Sequence, residues 1–320
     1  MARIALGIGT SHSPMLSTPW EAFAGHADRD RARVPDFETL ARAKAEWIPR
    51  ELAADVTRAR HEATQAAIAG LGAALADAAL DALIVVGDDQ AEWFSADSQP
   101  ALCIYWGPTV ENLPPPVDKM APSLRRAYWG YYGDGTNRAF PVDAALALYL
   151  IEALTREHEF DVAHVSAQPR HAPFGHAWSF VHQRLMGERI VPIVPVLLNT
   201  YYPPNQPTPR RCYQLGRAIR QTVEAWPADK RVGVLGSGGL SHFVVDEALD
   251  RHVLDILARR DADAIAALPL DQLDSGNSEI RNWIAAAGAA EHLSMKLVDY
   301  VPSYRSEAGT GVGMAFALWQ

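Results

Sequence analysis

Short apolar runs that end abruptly in polar clusters alternate along this chain with stretches of helical periodicity. Residues Arg3 to Gly9 are largely apolar and stop at Thr10-Ser-His-Ser-Pro14, where Pro14 lacks the amide hydrogen that further pairing needs. The pattern predicts a buried strand with His12 at its end. From Phe37 to about Leu80 the apolar positions recur at helical spacing in an Ala-, Glu- and Arg-rich background broken at Pro49, which predicts two helices, the second long. Ala82-Leu-Ile-Val-Val-Gly87 is apolar throughout and empties into Asp88-Asp89-Gln90, as expected of a central strand covered on both faces.

The alternation continues downstream. The Pro- and aromatic-rich stretch Pro108 to Phe140 reads as irregular, Asp143 to Glu157 as a helix, and Phe160 to Val165 as a short strand. Arg189 to Leu198 reads as a strand, Cys212 to Ala225 as an amphipathic helix, and Arg231 to Leu235 as a strand delivering Gly236-Ser-Gly-Gly-Leu-Ser-His242; helices fill most of Val245 to Ala290. Such alternation implies an α/β fold: one large domain over 1–320, with a mixed central sheet flanked by helices and ligands gathered at strand ends. No internal repeat is present.

Composition narrows the function classes. A hydrophobic share of 48% and a charged share of 21% suit a packed globular chain. A formal charge of −9 disfavours nucleic acid and anionic membrane surfaces as partners. Two distant cysteines, Cys103 and Cys212, offer neither a disulfide framework nor a thiolate metal cage, and no run approaches the roughly 18 apolar residues of a membrane span. The N-terminus lacks the pattern of a secretory signal, so a cytoplasmic protein is expected.

Four strand-end clusters and one helix start carry candidate chemistry. His12 sits between two serines before a proline, where a loop-stabilising hydrogen bond is the simpler explanation. The Gly236-to-His242 loop is more telling: three glycines let the backbone approach a ligand, and it fits neither a dinucleotide fingerprint nor a nucleophile elbow. Glu279, in Ser275-Gly-Asn-Ser-Glu-Ile-Arg-Asn-Trp283, falls in the first turn of a helix capped by Asn277 or Ser278, a position that favours an anion by about 0.3–1 kcal/mol without any function. His171 and His176 share a loop, and Asp88-Asp89-Gln90-x-Glu92 is either a solvated turn or an oxygen-rich cation site.

Taken in order, Thr10-Ser-His-Ser-Pro14, Asn199-Thr-Tyr-Tyr-Pro-Pro-Asn-Gln-Pro-Thr-Pro-Arg-Arg-Cys-Tyr-Gln-Leu-Gly216, the Gly236-to-His242 loop and Ser278-Glu-Ile-Arg-Asn-Trp-Ile284 resemble the class III extradiol dioxygenases related to the catalytic subunit of protocatechuate 4,5-dioxygenase, with gallate and 3-O-methylgallate dioxygenases as relatives. The resemblance implies Fe(II) held by two histidines and a carboxylate, an arrangement that leaves positions open for a catechol and O2. His12 and Glu279 match two ligands. The third, a histidine in most members, corresponds here to Gln90; His26 and His61 are alternative donors. His242 matches the family's catalytic histidine, which takes a proton from a substrate hydroxyl and later returns one, and His176 the second active-site histidine, with His171 as its alternative. The Tyr-Tyr-Pro-Pro run points to the protocatechuate branch and a catecholic acid as substrate. A helical insertion over about 17–80 is longer than the family's minimal pattern and is expected to replace a lid or to form the contact of a homodimer. A non-catalytic binding scaffold and a metal-dependent hydrolase are the rival functions.

Overall fold

The computed structural model describes residues 1–95, 97–170 and 172–320. In chain order, β1 (Arg3–Thr10) is followed by α1 (Ala24–Arg33), α2 (Phe37–Lys44), α3 (Ile48–Glu51) and the long α4 (Ala54–Asp77). Next come β2 (Ala82–Asp88), β3 (Leu102–Tyr105), β4 (Thr109–Asn112), the one-turn helices α5 (Pro122–Arg125) and α6 (Trp129–Tyr132), β5 (Arg138–Pro141), α7 (Ala144–Arg156) and β6 (Ala163–Val165). The remainder is α8 (His176–Phe180), β7 (Ile193–Leu198), α9 (Pro209–Ala225), β8 (Arg231–Ser237), β9 (His242–Val244), α10 (Glu247–Ala258), α11 (Ala262–Ala266), α12 (Ile280–Ala289), β10 (Met295–Tyr304) and β11 (Thr310–Trp319). Among the described residues no helix is long and apolar enough to cross a membrane.

One mixed sheet runs β10-β11-β1-β8-β2-β7-β3-β6, with β9 added on β11. Its centre is parallel: β1 pairs with β8, and β2 with both β8 and β7. Side-chain alternation then divides the core in two. Ile84 and Val86 of β2 face a layer containing α7, α9 and α12, while Leu83 and Val85 face the opposite layer with α4 and α8. Burial on both faces explains why β2 shows no polar alternation in sequence.

Because the four central strands are parallel, their C-terminal ends lie on one edge. Thr10 stands opposite Ser237, and Asp88 opposite Leu198, so the loops leaving β1, β8, β2 and β7 open side by side. Strand ends are therefore where the fold gathers polar groups, as the pattern of apolar runs indicates.

Several local readings change. The stretch Pro108 to Phe140 is not wholly irregular: β4 and β5 pair in a small separate sheet, with Val110 opposite Phe140, and one-turn helices begin at Pro122 and Trp129. Pro49 lies in the first turn of a short helix rather than only breaking one, since its missing amide hydrogen costs nothing there. An additional helix, α1, precedes the two expected between Phe37 and Leu80. The strands read as Phe160 to Val165 and Arg189 to Leu198 begin only at Ala163 and Ile193. The C-terminal hairpin of β10 and β11 has no counterpart in the sequence reading, although β11 is buried along its whole length beside β1.

Candidate active site

His12 leaves β1 and is buried. Its Nδ1 lies 3.0 Å from Ser237 Oγ, and that hydroxyl donates to the Ala177 carbonyl at 2.7 Å. With the hydroxyl hydrogen committed, Ser237 Oγ can only accept, so Nδ1 carries the imidazole hydrogen and Nε2 is left bare. Nε2 is a buried atom without a hydrogen-bond partner; it lies 3.3 Å from Glu279 Oε2, off the line of a hydrogen bond.

Glu279 ends a 3₁₀ turn at Ser275–Glu279 and forms the N-cap of α12. Asn277 does not cap the helix; its Oδ1 accepts from the His242 amide at 2.6 Å. Glu279 Oε2 accepts from the Gly239 amide at 2.6 Å, which ties the carboxylate to the glycine loop. Burial works to raise its pKa, but His12 and His242 outweigh burial and hold the carboxylate ionised, well below the usual range.

His242 opens β9, with Nδ1 3.0 Å from the Leu240 carbonyl and Nε2 3.9 Å from Glu279 Oε2. A carbonyl only accepts, so here too Nδ1 holds the hydrogen and Nε2 faces the site with its lone pair. Burial lowers its pKa against the pull of Glu279, which keeps the ring neutral. Two glycines shape its seat: a Cβ at Gly239 would meet the ring Cε1 at 2.1 Å, and one at Gly276 would meet His242 Cβ at 2.1 Å.

The cluster after β2 divides its labour. Asp89 caps its own loop, accepting from the Trp93 and Phe94 amides at 2.8 and 3.2 Å. Asp88 is fully buried and points to the site; burial, then Glu279, raises its pKa. The Gln90 amide nitrogen donates to Asp88 Oδ2 at 2.9 Å and to Glu279 Oε1 at 3.2 Å, so Gln90 bridges the two carboxylates through its NH2. Glu92 accepts from the backbone amides of Gln90 and His176 and pairs with His176 Nδ1. Burial opposes charge on His176, yet Glu92 carries its pKa up to about 10 while its own falls to about 2.

Ligand atoms of His12, Asp88, His176 and Glu279 all lie within 4.8 Å of one another, and the rings of His12 and His176 meet edge to face at 4.5 Å. The structure thus brings His12, Glu279, His242, His176 and Gln90 together around one cavity of about 340 Å³. His26 lines the same cavity from α1 but is bonded to Thr18 at 3.2 Å, and His61 packs edge-on to Phe23; neither joins the cluster. His171 lies outside the described residues. The sequence pattern gives Ser237 no role and reads Glu92 only as part of a solvated turn or cation site, whereas each orients a histidine across a large sequence gap.

The donor set suits a divalent transition ion. A bare, buried imidazole nitrogen and an ionised buried carboxylate face each other without bonding, and each histidine of the cluster has an oxygen partner on its other nitrogen, the usual outer support of metal-bound imidazole.

Comparison with known proteins agrees. Residues 62–315 match the family described as the catalytic LigB subunit of aromatic ring-opening dioxygenase. A gallate dioxygenase of Pseudomonas putida is 30% identical over 133 residues, covering 38% of this chain and 38% of that enzyme. A 2,3-dihydroxyphenylpropionate/2,3-dihydroxicinnamic acid 1,2-dioxygenase of Rhodococcus sp is 28% identical over 289 residues, 72% of this chain and 90% of that enzyme. Its namesake from Comamonas testosteroni is 28% identical over 180 residues, 55% and 47% respectively. The chain therefore spans less than half the length of two of these three relatives. With residues 62–315 matched, including the loops after β2, β7 and β8 that border the cavity, the chain belongs to the LigB family of aromatic ring-opening dioxygenases.

Proposed function

We propose that this protein is an Fe(II)-dependent extradiol dioxygenase that opens the ring of a catecholic acid of the protocatechuate, gallate or 3-O-methylgallate type with O2. The observation that carries the reading is the convergence of the bare His12 Nε2, the ionised Glu279 and the neutral His242 in one small cavity. A volume of about 340 Å³ is near the lower end for ligand pockets and suits a single-ring substrate.

His12 and Glu279 hold the metal, with Gln90 in the third protein position that the family resemblance gives it. A specific observation favours His176 for that place instead: the Gln90 amide turns its nitrogen to Asp88 and Glu279, whereas His176 has its Nδ1 fixed on Glu92 and stands against His12. Fe(II) held there would supply Lewis-acid and one-electron chemistry toward a catechol and O2. His242 Nε2, bare at neutral pH, takes the proton of a substrate hydroxyl and returns a proton after ring opening. Glu92 fixes His176 Nδ1 in either case, so that with Gln90 in the third place His176 is a second proton-bearing group turned to the same space, and with His176 in that place its Nε2 is the ligand atom. Met15, Leu124, Ala127 and Val312 supply an apolar wall that limits water around the ring.

The test is oxygen uptake by protein loaded anaerobically with Fe(II), then mixed with protocatechuate, gallate or 3-O-methylgallate. Uptake with stoichiometric loss of the catechol is expected; iron-loaded protein that consumes no oxygen with any of them refutes the reading. Iron retention by Gln90→Ala and His176→Ala decides the third ligand, because the true ligand's variant loses the metal.

A further inference from the structure

Three arginines, Arg29, Arg33 and Arg305, reach the cavity that holds the His12, His242 and Glu279 cluster. They are not equivalent. Arg305 is neutralised by the buried Asp30, to which its Nε and Nη2 donate at 2.6 and 2.8 Å, and Asp30 also accepts from the Thr310 hydroxyl. The Asp30 carboxylate makes these three bonds and none with Arg29 or Arg33.

Arg29 and Arg33 lie four residues apart on α1, so both project from one face of the helix. Like charges at that spacing work against the helix. Their neighbour Arg31, on another face, is paired with Glu38 and Glu307, yet among the described residues neither Arg29 nor Arg33 has an ion-pair or hydrogen-bond partner. Arg29 is half-buried, and its pKa is lowered by burial, then by Arg33 and Arg305. The same positive field reaches His26, whose pKa falls to about 4 through burial first, then Arg305 and Arg29. Arg33 also borders a second, outer cavity that shares Tyr201, His242 and Phe243 with the first, so it stands where the two meet.

Half-buried Arg29 and exposed Arg33 thus stand side by side at the cavity that holds the reactive cluster, with no ion-pair partner among the described residues, an arrangement suited to an anion. We propose that Arg29 and Arg33 form the receptor for the substrate's carboxylate, making α1 the specificity element of the ring-opening cavity. The substrate class is a catechol that bears a carboxylate away from its hydroxyls; the inference rests on that cavity being the substrate site. Guanidinium suits the task because its fork of N–H donors matches a carboxylate in two parallel bonds. The receptor lies in the segment before residue 62, outside the stretch that the family description matches, so it is a property of this chain's own N-terminal helices.

The test separates binding from turnover. Binding of 4-hydroxybenzoate and of its methyl ester to metal-free protein is measured by calorimetry for wild type, Arg29→Gln/Arg33→Gln and Arg29→Lys/Arg33→Lys. The acid is expected to lose about 10- to 100-fold in affinity in the glutamine variant and to recover partly in the lysine variant, while the ester binds weakly and equally to all three. Equal affinity of wild type and glutamine variant for the acid, or an ester that binds wild type as well as the acid does, overturns the proposal. If the double variant does not fold, Arg33→Gln at an exposed position gives the same readout alone. Arginine-dependent binding of the acid combined with no oxygen uptake on any catechol leaves the receptor standing and removes the dioxygenase reading.

Discussion

Replacing Gly276 by alanine separates the position of His242 from the stability of the fold. The new Cβ would lie 2.1 Å from His242 Cβ, 2.7 Å from Cγ and 3.4 Å from Cα, where carbon atoms prefer about 3.5–4.0 Å. Something must yield by more than an ångström. The backbone of His242 is held by its amide bond to Asn277 and by its place opposite Val312 in the sheet, so the imidazole is the part that moves, breaking the 3.0 Å contact of Nδ1 with Leu240. Overpacking of this kind costs about 1–3 kcal/mol, and a misplacement of about 1 Å costs on the order of 100-fold in rate. Gly276→Ala should therefore lower kcat/KM for oxygen uptake about 100-fold while the protein still unfolds cooperatively in urea. Gly70→Ala is the matched control: in mid-α4 with nothing within 4 Å, it should leave turnover unchanged and add about 0.5–1 kcal/mol of stability. Wild-type turnover in Gly276→Ala, with the stability loss present, would refute the assignment of His242 as the positioned base.

Ser237→Ala removes the acceptor that fixes the His12 tautomer, and metal affinity in a chelator competition should fall about 10- to 100-fold; unchanged affinity contradicts the hydrogen assignment at His12. His242→Gln should lower kcat by about 100- to 10,000-fold and abolish the acid limb of the pH–rate profile, which in wild type has its midpoint below the ordinary histidine value of 6.5 because burial favours the neutral ring. His26 and His182 are buried, with pKa values lowered to about 4 and about 3, chiefly by burial. In each the unfolded chain takes up a proton near pH 6.5 that the folded protein refuses, so stability is full above that pH and falls as the pH drops from 6.5 toward 4. The lowering at His26 alone corresponds to roughly 3 kcal/mol. Urea unfolding of His182→Phe, whose ring keeps the stack on Phe140, should depend less steeply on pH between 6.5 and 4 than wild type; an equal slope refutes the prediction.

The sequence by itself determined the central strands, because an unbroken apolar run such as Ala82–Gly87 has only a doubly covered strand to form, and it placed polar residues at their ends. It also located α7 and α9, whose N-caps, Asp143 and Thr208, are local signals. The C-terminal hairpin was not legible, since what fixes β11 is its slot between β10 and β1, with Trp319 opposite Gly7, a pairing across nearly the whole chain. The site followed the same division. His12, Gln90, His176, His242 and Glu279 were visible as residue types in suggestive loops, but their convergence depends on the order β1-β8-β2-β7, which no local pattern encodes. Which nitrogen of His12 is bare is decided by a serine 225 positions away, and which histidine Glu92 orients by a contact across 84 positions. Local chemistry chooses what an element is, whereas only packing chooses its neighbours, and hydrogen-bond partners, charge states and the lack of a partner for Arg29 and Arg33 among the described residues are properties of neighbours.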